Sequence, residues 1–367
     1  MKYFFSIILI LFVKISIAQN CSGVTEASLN ATGPYTFDYI LETDGLRDGP
    51  DYNGATVYYP TGLGYPRASI VIVPGFFGTE SDIEEWGPYL ASHGIITMTI
   101  GTNNLWDQPA DRATALIDGI ETLKQENTRP DSPIFGIVNT EKFAVAGWSM
   151  GGGGAQLAAV LDPSIKAVMA FCPWLDPSQT PILNHSSPVL IFSGEDDPTA
   201  PPADHANVHY TETPNQTDKL LFEIAGGFHN VANTPTGGDG EIGKIGLAWL
   251  QRYLIGNYCY CPVIIDELLN QPVVASNYSY NVNCDLLSIT TNVNSKIVDI
   301  YPNPTNTFIT VDHNYDEAIN YNVFSLTGKQ VLTGLLDEKN QRINLTNLKS
   351  GVYYVIIDSL SYRIVKI

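Results

Sequence analysis

Six short apolar runs, at residues 70–73, 95–100, 143–146, 167–171, 189–192 and 219–224, punctuate the middle of this chain. Runs of this length without polar alternation suit strands buried on both faces, as in parallel sheets. Between several of them the pattern shifts to helical spacing. Residues 111–125 place Ala115, Ile117, Ile120 and Leu123 near one face, and residues 243–253 do the same with Ile245, Ala248, Trp249 and Leu250. Strand alternating with helix predicts an α/β fold around a doubly wound, mostly parallel sheet. Ahead of it, the β-rich segments 35–41 and 55–59 flank a turn-prone stretch, 44–54, which predicts an antiparallel entry to that sheet.

The ends of the chain read differently. Lys2, an apolar run over 4–13 and the sequence Ser16-Ile17-Ala18 have the layout of an export signal, with cleavage expected after Ala18. Lys14 interrupts the run well short of the roughly 20 apolar residues that a membrane span requires, so no membrane integration is expected. Around 270–295 the sequence turns polar and rich in Asn, Ser and Thr, marking a linker and a boundary near 290. Beyond it, strand-like segments at 308–311, 321–324, 342–345, 352–358 and 363–366 predict a small all-β C-terminal domain, a β-sandwich. The expected organisation is a signal peptide over 1–18, a catalytic-sized α/β domain over 19–290 and a β domain over 291–367.

A formal net charge of −19 repels phosphate backbones and anionic bilayers, so nucleic acid is excluded as a natural partner. Five cysteines stand at 21, 172, 259, 261 and 284. Cys172 follows an apolar run and is expected to be a buried free thiol. An exported chain meets conditions in which disulfides persist. Cys259 and Cys261 are too close in sequence to pair comfortably, so Cys284 is expected to bond one of them, with Cys21 among the four candidates. No histidine accompanies these cysteines at ligand spacing, and no metal site is expected.

The chemistry centres on Gly147-Trp148-Ser149-Met150-Gly151, a G-x-S-x-G pattern that alone is a weak signal. Its context strengthens it: a strand at 143–146 precedes it and a helix-compatible stretch follows, so Ser149 falls on a tight strand-to-helix turn. Gly151 to Gly154 could instead cradle phosphate, but no G-K-[ST] follows. A serine hydroxyl needs a histidine to accept its proton and a carboxylate to orient that histidine. The run 189–192 leads into Glu195-Asp196-Asp197, delivering Asp197, chosen over Asp196, at the end of a strand. Of six histidines, His229 alone lies in the loop after the next strand and before the last helix. His93, His185, His205 and His209 are expected on the surface or packing helices. Two backbone N–H groups, of Met150 after the nucleophile and Phe76 after an earlier strand, are expected to form an oxyanion hole.

Taken with Trp86-Gly87-Pro88, residues 90–94 (Leu-Ala-Ser-His-Gly), residues 105–109 (Leu-Trp-Asp-Gln-Pro) and Pro173-Trp174, these segments resemble the bacterial cutinase and poly(ethylene terephthalate) hydrolase family, within the dienelactone-hydrolase-like group. The likeness covers about residues 30 to 285 and implies the α/β-hydrolase fold. It implies Ser149, Asp197 and His229 as the triad, Phe76 and Met150 as oxyanion-hole residues, and Trp174 as an aromatic-stacking residue. It further implies a shallow apolar cleft completed by Phe76, Trp148 and Met150, with Thr199 and Asn230 lining it in place of apolar and small residues. His205 matches a position beside Trp174. Gly194 and Val231 stand where one branch has a disulfide, and Gly194 also replaces a carboxylate used elsewhere for a stabilising cation.

The tail, through Tyr301-Pro302-Asn303-Pro304, Leu326-x-Gly328 and residues 351–354 (Gly-Val-Tyr-Tyr), resembles the C-terminal sorting domains of the type IX secretion route. The joint expectation is a secreted monomeric serine ester hydrolase acting on polyesters without a cofactor, its tail a partner of the secretion machinery. A small-ester or lipid esterase, a serine peptidase and a noncatalytic surface-binding protein are the rival readings.

Overall fold

The computed structural model describes residues 21, 24–29, 32–178, 183–269, 274–284, 298–313, 318–325, 329–337, 341–357 and 360–367. The expected signal peptide, most of the expected linker and Leu326-x-Gly328 lie outside these residues.

Nine strands form one sheet: β1 (Phe37–Leu41), β2 (Ala55–Pro60), β3 (Arg67–Val73), β4 (Ile96–Ile100), β5 (Val138–Trp148), β6 (Ala167–Phe171), β7 (Val189–Gly194), β8 (Lys219–Ile224) and β9 (Ala275–Asn281). Their order is β1-β2-β4-β3-β5-β6-β7-β8-β9. From β4 to β8 every pairing is parallel, while β1, β2 and β9 attach antiparallel. Helices α1 (Trp86–Ser92), α2 (Pro109–Glu126), α3 (Met150–Leu161), α4 (Ala206–Glu212) and α5 (Glu241–Leu250) intervene along the chain. This is the α/β-hydrolase arrangement.

The apolar runs lack polar alternation because both faces of the sheet are covered. Val71, Val73, Val145 and Ile191 face a core shared with Ala113 and Leu116 of α2 and Ala155 and Ala158 of α3. Their neighbours Ile70, Ile72, Ala146 and Phe192 face the opposite core with Trp86 of α1 and Ile245 and Trp249 of α5. Alternate side chains along one strand thus serve two cores, as the two-residue strand period requires. Trp86 is fully buried and stacks on Phe171 at 5.0 Å between centroids.

Two disulfides, Cys21–Cys259 and Cys261–Cys284, tie the N-terminal segment and the residues after β9 to the same short helical region. Cys284 bonds Cys261, and Cys172 is a buried free thiol, both in line with the sequence reading. Strand β9 was not expected: its seven residues, Ala-Ser-Asn-Tyr-Ser-Tyr-Asn, read as linker because an edge strand with little burial has no apolar face to announce it. The helix read over 243–253 runs over Glu241–Leu250 and continues as a π-helical turn, Gln251–Ile255.

The tail has two antiparallel sheets, β10-β11-β14 (Val298–Tyr301, Phe308–His313, Arg342–Asn344) and β13-β12-β15-β16 (Gln330–Leu336, Ile319–Ser325, Gly351–Ile357, Leu360–Lys366). Ile309, Val311 and Ile343 from one and Val323, Val355 and Ile357 from the other share a core. A third core, separate from the two that cover the large sheet, is what a small β-sandwich needs.

Candidate active site

The turn from β5 into α3 forces Ser149 into a strained backbone conformation, φ 55° and ψ −119°. Two glycines make that turn possible. A Cβ at position 147 would fall 2.3 Å from the Gly151 carbonyl oxygen, and one at 151 would fall 2.5 Å from that of Pro74. The Ser149 N–H donates to the Phe171 carbonyl at 2.8 Å, and the Ser149 carbonyl receives the N–H groups of Trp174 (2.8 Å) and Gly153 (3.1 Å). Strain persists at Ser149 because these bonds over-determine it, a pattern that concentrates at functional sites. Gly151 to Gly154 are buried inside α3, which removes the phosphate-cradle reading.

Ser149 Oγ lies 2.9 Å from His229 Nε2, and His229 Nδ1 lies 2.7 Å from Asp197 Oδ2. Asp197 follows β7, and its other oxygen accepts the N–H groups of Thr199 (2.8 Å) and Ala200 (2.9 Å). Burial opposes the charged carboxylate, but the hydrogen bonds from His229, Ala200 and Thr199 outweigh it and hold Asp197 below the ordinary carboxyl range. An anionic, buried Asp197 fixes Nδ1 as the protonated nitrogen and leaves Nε2 to accept from serine. The three side chains therefore form a directed chain of hydrogen bonds from the buried Asp197 carboxylate to the Ser149 hydroxyl.

Trp148 Nε1 donates to the His229 carbonyl at 2.7 Å, and the two rings lie 5.4 Å apart. Cys172, with Asp197 and His229, brings its sulfur within 4.8 Å of their ligand atoms. Burial, reinforced by the Asp197 charge, pushes the Cys172 thiol up. With both Asp197 oxygens and both His229 nitrogens already engaged within the chain, this thiol serves as packing beneath the pair.

Met150 is the first residue of α3, where N–H groups have no intrahelical acceptor. Phe76 follows β3 and is exposed, as are Thr199 and Asn230, while Trp174 is half-buried. Trp174 lies 5.8 Å from the His205 ring, which lies 6.4 Å from that of His209. Gln156 Nε2 meets His209 Nδ1 at 2.7 Å. His93, His185, His205 and His209 are all buried, so the surface option for them falls.

One participant carried no signal of its role in the sequence. Arg112, fully buried, donates to the carbonyls of Pro74 (2.9 Å), Asp107 (3.1 Å) and Leu105 (3.4 Å). It thereby binds the loop that carries Phe76 to the loop that carries Trp106. Its position in α2, three and four residues before buried Ala115 and Leu116, was the available hint. A cavity of about 600 Å³ opens elsewhere, lined by Leu29, Phe37, Tyr89, Pro235 and Lys244, and none of its lining residues belongs to the Ser149 site.

A strained serine on a strand-to-helix turn, facing a carboxylate-oriented imidazole, is an arrangement suited to hydrolase chemistry. The PET hydrolase-like family model matches residues 16–284, and the chain belongs to that family of carboxylic ester hydrolases. It is 33% identical over 246 residues to bis(hydroxyethyl) terephthalate hydrolase of Streptomyces coelicolor, covering 65% of this chain and 75% of that protein. It is 32% identical over 254 residues to cutinase 2 of Thermobifida cellulosilytica, covering 67% and 92%. Lipase 1 of a Moraxella species is 33% identical over 241 residues, covering 64% and 70%. Residues 299–367 match the secretion system C-terminal sorting domain, which addresses the chain to the outside of the cell or its surface. Among the described residues, no helix is long and apolar enough to cross a membrane.

Proposed function

We propose that this protein is a secreted polyester hydrolase in which Ser149 attacks an ester carbonyl, His229 takes the serine proton and returns it to the leaving alcohol, and Asp197 holds the imidazole. The observation that carries this reading is the unbroken relay from Asp197 Oδ2 through His229 to Ser149 Oγ, at 2.7 and 2.9 Å. The amides of Phe76 and Met150 receive the oxyanion, and water then releases the acyl group from Ser149. The leader is removed after Ala18, residues 19–290 carry the chemistry, and residues 291–367 direct export by the type IX route.

The exposure of Phe76, Thr199 and Asn230 and the half-burial of Trp174 favour an open cleft that admits a section of a polymer chain. A deep pocket closed around one small acyl group would have buried them. The lipase relative keeps lipid esters as a second reading. Labelling the full chain with a fluorophosphonate and mapping the adduct tests the nucleophile: the account expects modification at Ser149, lost in Ser149→Ala. Comparing release from an aromatic polyester film with release from triacylglycerol separates the two substrates.

A further inference from the structure

Away from Ser149, the cavity of about 600 Å³ opens between α1, the start of α5 and the segment that leads into β1. Leu29, Phe37, Pro88, Tyr89 and Pro235 give it apolar and aromatic walls. Such a volume and lining suit a small molecule. Hydrogen bonds to main-chain groups hold the walls in place. At the end of α1, the Ser92 hydroxyl and carbonyl accept the N–H groups of Gly33 and Tyr35, both at 3.0 Å. Trp86 Nε1 in α1 donates to the Ala232 carbonyl at 3.1 Å, and the Gly243 N–H in α5 donates to the Pro235 carbonyl at 2.9 Å. The cavity is therefore preformed.

Tyr89 is only 8% exposed, yet its hydroxyl has no hydrogen-bond partner among the described residues. Burial raises the pKa of this phenol, so it stays uncharged at neutral pH and its oxygen can accept a hydrogen bond. A buried polar group left unpaired is costly, and an N–H group of a ligand in the cavity would relieve it. The charge around the cavity is also one-sided. Lys244 is neutralised by Glu26 and Glu241, each at 2.7 Å, while Glu85 and Asp239 on the same walls have no ion-pair partner among the described residues. Carboxylates and aromatic faces together attract a cation and repel an anion.

We propose that this cavity binds one free apolar amine, its ammonium group held by Glu85, Asp239 and the Tyr89 hydroxyl and its apolar body by Phe37 and Pro88. The site is separate from the triad and independent of the ester chemistry assigned to Ser149. Glu85 and Asp239 are exposed, so water and salt screen them and the preference for positive charge is modest.

The test is calorimetric titration of the full chain with phenylhexylammonium, phenylhexanol and phenylhexanoate, which share one apolar body and differ in charge. The ammonium should bind tightest and the carboxylate about tenfold more weakly. In Glu85→Gln combined with Asp239→Asn, the ammonium should weaken to the level of the alcohol, with the alcohol itself unchanged. Asparagine keeps the left-handed backbone at position 239, where φ is 54°. Thr236→Trp, at an exposed position on the cavity wall, should fill the space and weaken ammonium binding about tenfold. All three positions are exposed, so melting temperatures should hold; if Thr236→Trp melts early, the paired variant, which adds no bulk, decides. The proposal is overturned if the wild type binds no ammonium, if the three probes bind equally, or if a folded variant of either kind leaves ammonium binding unchanged.

Discussion

The indole Nε1 of Trp148 donates to the backbone carbonyl of His229 at 2.7 Å, so the residue preceding Ser149 holds the loop that carries His229. Two residues 81 apart in sequence are thus locked together beside the hydrogen bond between His229 and Ser149. Trp148→Phe keeps the ring and removes the donor. One neutral hydrogen bond contributes about 0.5–1.5 kcal/mol, so kcat on a short ester should fall about two- to tenfold. Steady-state kinetics checks this, and an unchanged kcat would show that the His229 loop holds its place unaided.

Arg112 supports a second prediction. Burial lowers its pKa to about 10, which leaves it charged at neutral pH, and its guanidinium reaches three backbone carbonyls on two loops. Arg112→Met should lower kcat about tenfold or more, since the loop that carries Phe76, whose amide is the proposed oxyanion donor, loses its brace. Arg112→Lys should recover only part, because Arg112 reaches its three carbonyls from three separate guanidinium nitrogens, a spread that a single ammonium nitrogen does not reproduce. Full recovery by lysine would reduce the role of Arg112 to charge alone.

Acid stability is set by buried histidines. Burial lowers His185 to about 4, against the Ser187 carbonyl that opposes the shift, and lowers His209 to about 3, with His205 adding to it. The unfolded chain binds these protons near pH 6.5 while the folded chain refuses them, so stability is full above 6.5 and falls as pH drops towards 4. His185 alone accounts for a loss of about 3 kcal/mol at pH 4. Asp197, held below the ordinary carboxyl range, adds its loss only below the pH at which a free carboxyl protonates. Thermal melts between pH 7 and 4 should show a slope that flattens in a His185→Asn variant. A slope unchanged by that variant would contradict the assignment.

Cys172 should be inert in the folded protein, being buried with its thiol pKa raised by burial and by Asp197. Maleimide should label no thiol natively and one after denaturation without reductant, since the other four cysteines are paired. Rapid native labelling would show that the site opens.

The large sheet was legible in the sequence because its parallel strands are apolar on both faces, and 70–73, 143–146 and 189–192 fall inside β3, β5 and β7. That Ser149, Asp197 and His229 come together was legible because each lies shortly after the end of a parallel strand, β5, β7 and β8, and those ends share one edge of the sheet. Strand β9 was not, since Tyr278 and Tyr280 at an exposed edge carry no burial pattern. Nor were β10 and β13 in the tail: β10 is four residues long, and β13 alternates apolar residues with Thr333 and Gly334. Arg112 escaped because its partners are main-chain carbonyls from residues 74, 105 and 107, which no side-chain spacing encodes.

The proposed function assigns polyester hydrolysis to Ser149. The direct test is release of soluble aromatic products from an amorphous polyester film by the full chain, beside Ser149→Ala. Steady release by the wild type and none above background by the variant is the expected result, with equal melting temperatures. Equal release by both, or none by a folded wild type that still cleaves short esters, would contradict it.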